Sequence, residues 1–186
     1  VTHFAVTNPR GHTLQCTMWK APAAASATNE LVILFLHGNS SSRIGATSIL
    51  PYAHAMGCTL VAFDFSGCGQ SDGDYISLGY HEVEDVVAVA NHLKEKGHRR
   101  VALWGHSMGA STAILYASKH NDIVAVVADS AFTSLAQIAT DMGARMLGPC
   151  SPLITPVAIQ CARALVLRRA NFDILDVDVL SVANRV

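Results

Sequence analysis

The chain has 186 residues, 51% hydrophobic and 15% charged, and its 13 Lys and Arg against 14 Asp and Glu leave a formal charge of −1 at pH 7. That size and composition describe one globular domain. A near-neutral chain without runs of like charge excludes the broad basic footprint that a nucleic-acid backbone requires, and gives no support for peripheral membrane contact.

In chain order, residues 3–6 and 14–20 read as short strands joined through the turn Asn8-Pro9-Arg10-Gly11, an antiparallel beginning. The Ala- and Ser-rich stretch 23–29 reads as a loop. Residues 31–38 (LVILFLHG) and 58–63 (CTLVAF) are brief apolar runs of the kind found in strands buried on both faces, and 100–105 (RVALWG) and 123–130 (IVAVVADS) repeat the form. Helix-length segments lie between them. Residues 47–56 are short and apolar. Residues 80–96 place Val83, Val86, Val87, Ala90 and Leu93 at helical spacing and leave Glu82, Glu84, Asp85, Lys94 and Lys96 for solvent. Residues 107–120 form a third helix rich in Ala, Ser and Thr. Strands alternating with helices imply right-handed crossovers and a mainly parallel sheet flanked by helices, an α/β fold. After Phe132 the pattern is helical, over 134–147 and again over 156–169, with a break at GPCSP and no further strand-like run.

The strongest motif is Gly105-His106-Ser107-Met108-Gly109, set between the run RVALW and the third helix. A GxSxG there fits a nucleophile elbow, a turn so tight that side chains at the flanking positions would collide with neighbouring backbone. Such a turn lifts the Ser107 hydroxyl into a site and aims the helix amino terminus, with the Met108 N–H, at developing negative charge. Leu36-His37-Gly38-Asn39 ends an earlier strand, where the Asn39 N–H could complete an oxyanion hole and His37 and Gly38 would shape the turn. In Asp64-Phe65-Ser66-Gly67-Cys68-Gly69-Gln70-Ser71-Asp72-Gly73 the GxG could suggest a dinucleotide site. Asp72 stands where the third glycine belongs, however, and a loop follows where a phosphate-binding helix should begin.

HGNSSS, DFSGCGQSDG, GHSMGA and DSAF, in this order and spacing over about residues 13–132, resemble the α/β-hydrolase superfamily, and within it the serine-aminopeptidase-like or acyl-protein-thioesterase-like serine hydrolases. The resemblance implies an α/β-hydrolase fold over 1–186 as a single domain. It implies cofactor-free, metal-free transfer of an acyl group to water from a small-molecule acyl, ester or peptide substrate. It gives Ser107 as nucleophile, Met108 and Asn39 as backbone oxyanion donors, Gly105 and Gly109 as supporting turn residues, and Asp129 as a non-catalytic position. The family's triad acid and histidine follow the seventh and eighth strands, whereas none of the nine histidines here lies beyond His120. The expectation is that both partners and the last two strands lie past Val186, leaving 123–130 as an open apolar edge.

Other residues carry weaker expectations. His106 adjoins Ser107 but should point away from it, His120 reads as a helix-end residue, and His81 with Asp85 reads as a solvated helix face rather than a metal site. Asp173, Asp176 and Asp178 read as loop residues. The helical segment 132–170 stands where relatives insert a cap. Its Met142, Met146, Leu153, Ile154, Val157 and Leu165 could line an acyl-sized groove, though packing against the sheet is the favoured reading. Asn39-Ser40-Ser41 reads as an accidental glycosylation sequon. The five cysteines, Cys16, Cys58, Cys68, Cys150 and Cys161, are odd in number and lack a CxxC pair, so they are expected reduced and mostly packed. With no signal-peptide pattern at the start, a cytoplasmic location is the expectation.

Overall fold

The computed structural model describes residues 1–22 and 30–186, so the loop expected at 23–29 lies outside the described residues. Strands β1 (Thr2–Thr7) and β2 (Thr13–Trp19) form the antiparallel hairpin read from the sequence, in register from Thr2↔Met18 to Thr7↔Thr13. Its turn is set by Asn8, whose side-chain carbonyl accepts the N–H groups of Arg10 at 3.0 Å and His12 at 2.9 Å. Strands β3 (Leu31–Leu36), β4 (Thr59–Phe63), β5 (Arg100–His106) and β6 (Ala125–Asp129) are mutually parallel, and β2 joins them antiparallel to β4. The sheet order is β1-β2-β4-β3-β5-β6.

Alternation along β3 builds a core on each face. Val32, Leu34 and Leu36 pack with α2 (Glu82–Glu95) and α3 (Met108–Ala117), through Val86, Val89, Leu93, Ala113 and Tyr116. Ile33 and Phe35 point the other way, onto Ala46, Ile49 and Ala53 around the short helix α1 (Leu50–Ala55). Each fully buried Leu or Val contributes about 1.5–3 kcal/mol from this burial.

Several expectations are corrected. Glu82 and Asp85 are 1% and 0% exposed rather than solvated. Glu82 accepts from the Ser77 N–H (2.7 Å), the Ser77 hydroxyl (2.5 Å) and the Gly79 N–H (2.7 Å), fastening the turn that enters α2. Asp85 accepts from Asn8 Nδ2 (2.6 Å), the Ser66 N–H (2.8 Å), the Ser66 hydroxyl (3.0 Å) and Arg10 (2.9 Å). Buried carboxylates persist where donors converge on them, and these two tie the β1–β2 turn and the loop after β4 to α2.

The second late helix begins at Ser151, not at 156. Helix α4 (Leu135–Leu147) passes through a 3₁₀ turn at Gly148–Cys150 into α5 (Ser151–Ala170), with Pro156 inside it. The GPCSP stretch is therefore a bend between legs of a helical hairpin. A Cβ on Gly143 would lie 2.4 Å from Thr155 Oγ1, so the legs meet there without a side chain between them. The hairpin does not pack its apolar residues on the sheet, since Met146 is 80% and Leu153 82% exposed. Its base is held by Leu135, Phe172, Ile174, Val177 and Val179 against Leu115 of α3. Cys16 and Cys58 are buried, but Cys150 and Cys161 are exposed, so the thiols are less packed than expected. Among the described residues β6 is the last strand of the sheet and pairs only with β5.

Candidate active site

The carboxyl ends of β3, β4, β5 and β6 gather the sequence motifs at one edge of the sheet. Between β5 and α3 stands Ser107 with φ 51° and ψ −114°, a left-handed conformation that only glycine adopts freely. The turn is fastened on both sides. The Ser107 N–H donates to the Asp129 carbonyl at 2.8 Å, and the Ser107 carbonyl accepts from the Ser111 N–H at 3.0 Å. A Cβ at Gly105 would lie 2.3 Å from the Gly109 carbonyl oxygen, and one at Gly109 would lie 2.0 Å from the Leu36 carbonyl oxygen. Both glycines are thus required by the backbone crossing that brings β3, β5 and α3 together. Met108 opens α3, where helix geometry leaves the first N–H groups without an intrahelical acceptor and concentrates positive potential.

The turn after β3 meets the serine directly. A Cβ at Gly38 would stand 3.1 Å from His106 Cδ2 and 3.4 Å from Ser107 Cβ, so the His37-Gly38-Asn39 segment is brought against Ser107. His37 is fully buried. The Phe65 N–H donates to His37 Nε2 at 3.1 Å, so Nδ1 carries the proton, and it donates to the Gly38 carbonyl at 2.8 Å. Burial pushes the His37 pKa below its ordinary 6.5, keeping the ring neutral as a tie between this turn and the end of β4. Asn39 is exposed, and the turn closes through the Ser41 N–H to the Gly38 carbonyl at 3.2 Å.

His106 turns to β6, where its Nδ1 lies 2.9 Å from Asp129 Oδ2. The hydrogen bonds from His106 and from the Ser130 hydroxyl hold the Asp129 carboxyl below the usual range. This pair was missed in the sequence because His106 and Asp129 are neighbours only through the β5–β6 register. Asp64 and Arg43 were missed as well. The Asp64 carboxylate accepts the N–H groups of Arg43 (2.7 Å) and Gln70 (2.9 Å) and pairs with the Arg43 guanidinium. A Cβ on Gly69 would fall 2.2 Å from Asp64 Oδ2, so the glycine-rich loop is shaped around a carboxylate.

The remaining candidates are dispersed. His81 Nε2 lies 3.0 Å from the Ala170 carbonyl, while Asp85 faces Ser66 and Asn8, so the two are not brought together as ligands. His120 stacks on Tyr116 at 4.4 Å. Asp173 is clasped by Arg163, and Asp178 accepts the Ser181 N–H at 3.1 Å.

A family model described as the alpha/beta hydrolase family matches residues 33–181. Lysophosphatidylserine lipase ABHD12 of Danio rerio is 30% identical over 113 residues, which are 55% of this chain and 29% of that protein. The uncharacterized protein YqkD of Bacillus subtilis is 32% identical over 90 residues, 47% of this chain and 30% of that protein. The chain thus spans less than a third of these curated relatives. Among solved structures, Pyrococcus furiosus esterase Pf2001 is similar with a TM-score of 0.66 at 25% identity, over 80% of this chain and 55% of that one. A putative hydrolase from Agrobacterium vitis shares the fold, with a TM-score of 0.61 at 19% identity over 90% of this chain and 61% of that one.

Proposed function

The chain belongs to the alpha/beta hydrolase family, and from that premise we propose that it carries the nucleophile of a serine hydrolase acting on an ester, thioester or amide. The observation that carries the reading is the backbone of Ser107, held in a left-handed turn at the start of α3 between two glycines that no side chain could replace. In this reading Ser107 Oγ attacks the substrate carbonyl and passes its proton to a histidine, forming a tetrahedral adduct. The Met108 and Asn39 N–H groups receive the oxyanion, aided by the dipole of α3. Collapse of the adduct expels the leaving group with that proton and leaves an acyl-serine, which water then cleaves.

We assign the general base and its orienting aspartate to residues beyond 186, after two further strands on the β6 edge. His37 uses both ring nitrogens on backbone groups, which supports this assignment; His106 gives Nδ1 to Asp129, and among the described residues no hydrogen bond joins its ring to the Ser107 hydroxyl. Among acyl linkages the names of the relatives, a lipase and an esterase, favour a carboxylic ester. The hairpin α4–α5 follows β6 and stands off the sheet, which suits a cap-like insertion within 132–170. Free thiols at Cys150 and Cys161, both exposed, suit a reducing compartment such as the cytoplasm.

The test is labelling with a fluorophosphonate probe followed by peptide mapping, on residues 1–186 and on the product of the full reading frame, with Ser107→Ala as control. Labelling of the full product at Ser107, absent from the shorter chain, supports the proposal. A folded full product that stays unlabelled removes the enzyme reading and leaves a binding or scaffold protein built on a hydrolase fold.

A further inference from the structure

The hairpin α4–α5 presents a surface that water does not favour. The helical run Leu135–Ala170 is apolar enough by composition to cross a membrane, yet only 6% of its most apolar window is buried. Met146 at its tip and Leu153 and Val157 on α5 are 80%, 82% and 63% exposed. The helix is apolar on its outward face as well as its packed one, and a helix apolar all round belongs in a nonaqueous setting.

Charge says which setting. Residues 146–162 carry no charged side chain, and the hairpin 135–170 as a whole carries Arg145, Arg163, Arg168 and Arg169 against one acid, Asp141. An uncharged apolar tip therefore ends, on each leg, at arginines. Arg163 is engaged by Asp173, whereas Arg168 and Arg169 stand exposed in the last turn of α5. The uncharged part of α5, residues 151–162, is about 18 Å long at 1.5 Å per residue, well short of the ~30 Å needed to span a bilayer. A second copy of the chain is a poorer fit, because a two-fold contact would bring the same arginines against each other.

We propose that the α4–α5 hairpin docks lengthwise on an anionic lipid surface, Leu153 and Val157 entering the acyl boundary while Arg145 near the tip and Arg168 and Arg169 near the base meet the headgroups. The chain as a whole is nearly neutral, so the attraction is local to this hairpin.

Co-sedimentation of the product of the full reading frame with phosphatidylcholine vesicles, with and without phosphatidylglycerol, tests the proposal; the phosphate of phosphatidylglycerol supplies net negative charge without a serine headgroup. Binding is expected on the anionic vesicles, weakened by salt. Arg168→Glu should weaken it at least about fivefold, the effect of one cation near a charged surface. Leu153→Glu should abolish it while the circular dichroism spectrum is unchanged, and the exposed position makes that variant safe for folding. Arg145→Glu provides a second, independently placed charge reversal. The proposal is overturned if neither vesicle is bound, if neutral vesicles bind equally well and the arginine variants have no effect, or if light scattering shows dimers that Leu153→Glu dissociates without any vesicle binding.

Discussion

Ser107 holds a backbone conformation that costs free energy, of order 1–3 kcal/mol for a residue with a Cβ. Glycine would release it, offset in part by the greater freedom of a glycine in the unfolded chain. Ser107→Gly is therefore expected to raise the stability by about 1 kcal/mol, while Ser107→Ala, which keeps the Cβ, changes it little. Urea unfolding measures both, and a glycine variant no more stable than the parent would mean that the turn stores no strain. The tight turn was legible in GHSMG because Gly105 and Gly109 crowd each other within the motif, whereas the approach of Gly109 to the Leu36 carbonyl appears only in the fold. His37 makes a prediction in pH. Burial lowers its pKa in the fold from an ordinary 6.5, so the unfolded chain binds the proton first as pH falls. Its contribution is complete above about pH 6.5 and is lost below that, toward the lowered folded value. His37→Gln should be less stable at pH 8 yet lose less on acidification to about pH 5.5. A parallel pair of thermal-denaturation profiles against pH would reject this account.

At the level of elements, β3, β4 and β5 were readable because buried parallel strands are continuous apolar runs, and the first helices because their apolar spacing is regular; β6 has the same apolar run but is largely exposed, not buried on both faces as its sequence implied. What the spacing hid was the role of the charged positions on α2. Glu82 and Asp85 look like solvent residues until the loop after β4 and the β1–β2 turn are folded over them; Asn8 and Asp85, at 2.6 Å, are separated by 77 residues in the chain. Removing Asp85 leaves donors from three residues, in two segments, without their acceptor. Asp85→Ala should cost about 3 kcal/mol or more, read as a shift of the denaturation midpoint, whereas a cost near zero would show that Arg10 and Glu84 suffice to hold the turn. The late helices taught the opposite lesson. Their apolar residues implied burial against the sheet, and only the folded hairpin, with Met146 and Leu153 exposed, shows that the sheet does not do the burying.

Across the whole molecule the structure is lopsided. One side of the sheet ends in a well-made antiparallel hairpin, while the other ends at β6, where Val127 is 45% exposed and the outer backbone groups have no strand beside them among the described residues. Val127→Lys should reduce self-association of residues 1–186, as charged residues do on natural sheet edges; light scattering at matched concentrations would show it, and unchanged association would move the sticky surface to the α4–α5 hairpin. The same edge strand holds the Ser107 turn, because the Ser107 N–H ends on the Asp129 carbonyl. A chain made from its amino terminus acquires Ser107 well before it acquires that acceptor. During synthesis the serine is therefore present before one of the two hydrogen bonds that fasten its turn, and that bond forms only once Asp129 has emerged and β6 has settled against β5. A product cut short between the two would carry the motif, the Ser111 bond and the glycine contacts but not the bond to β6, so the turn is completed last, from the edge of the sheet.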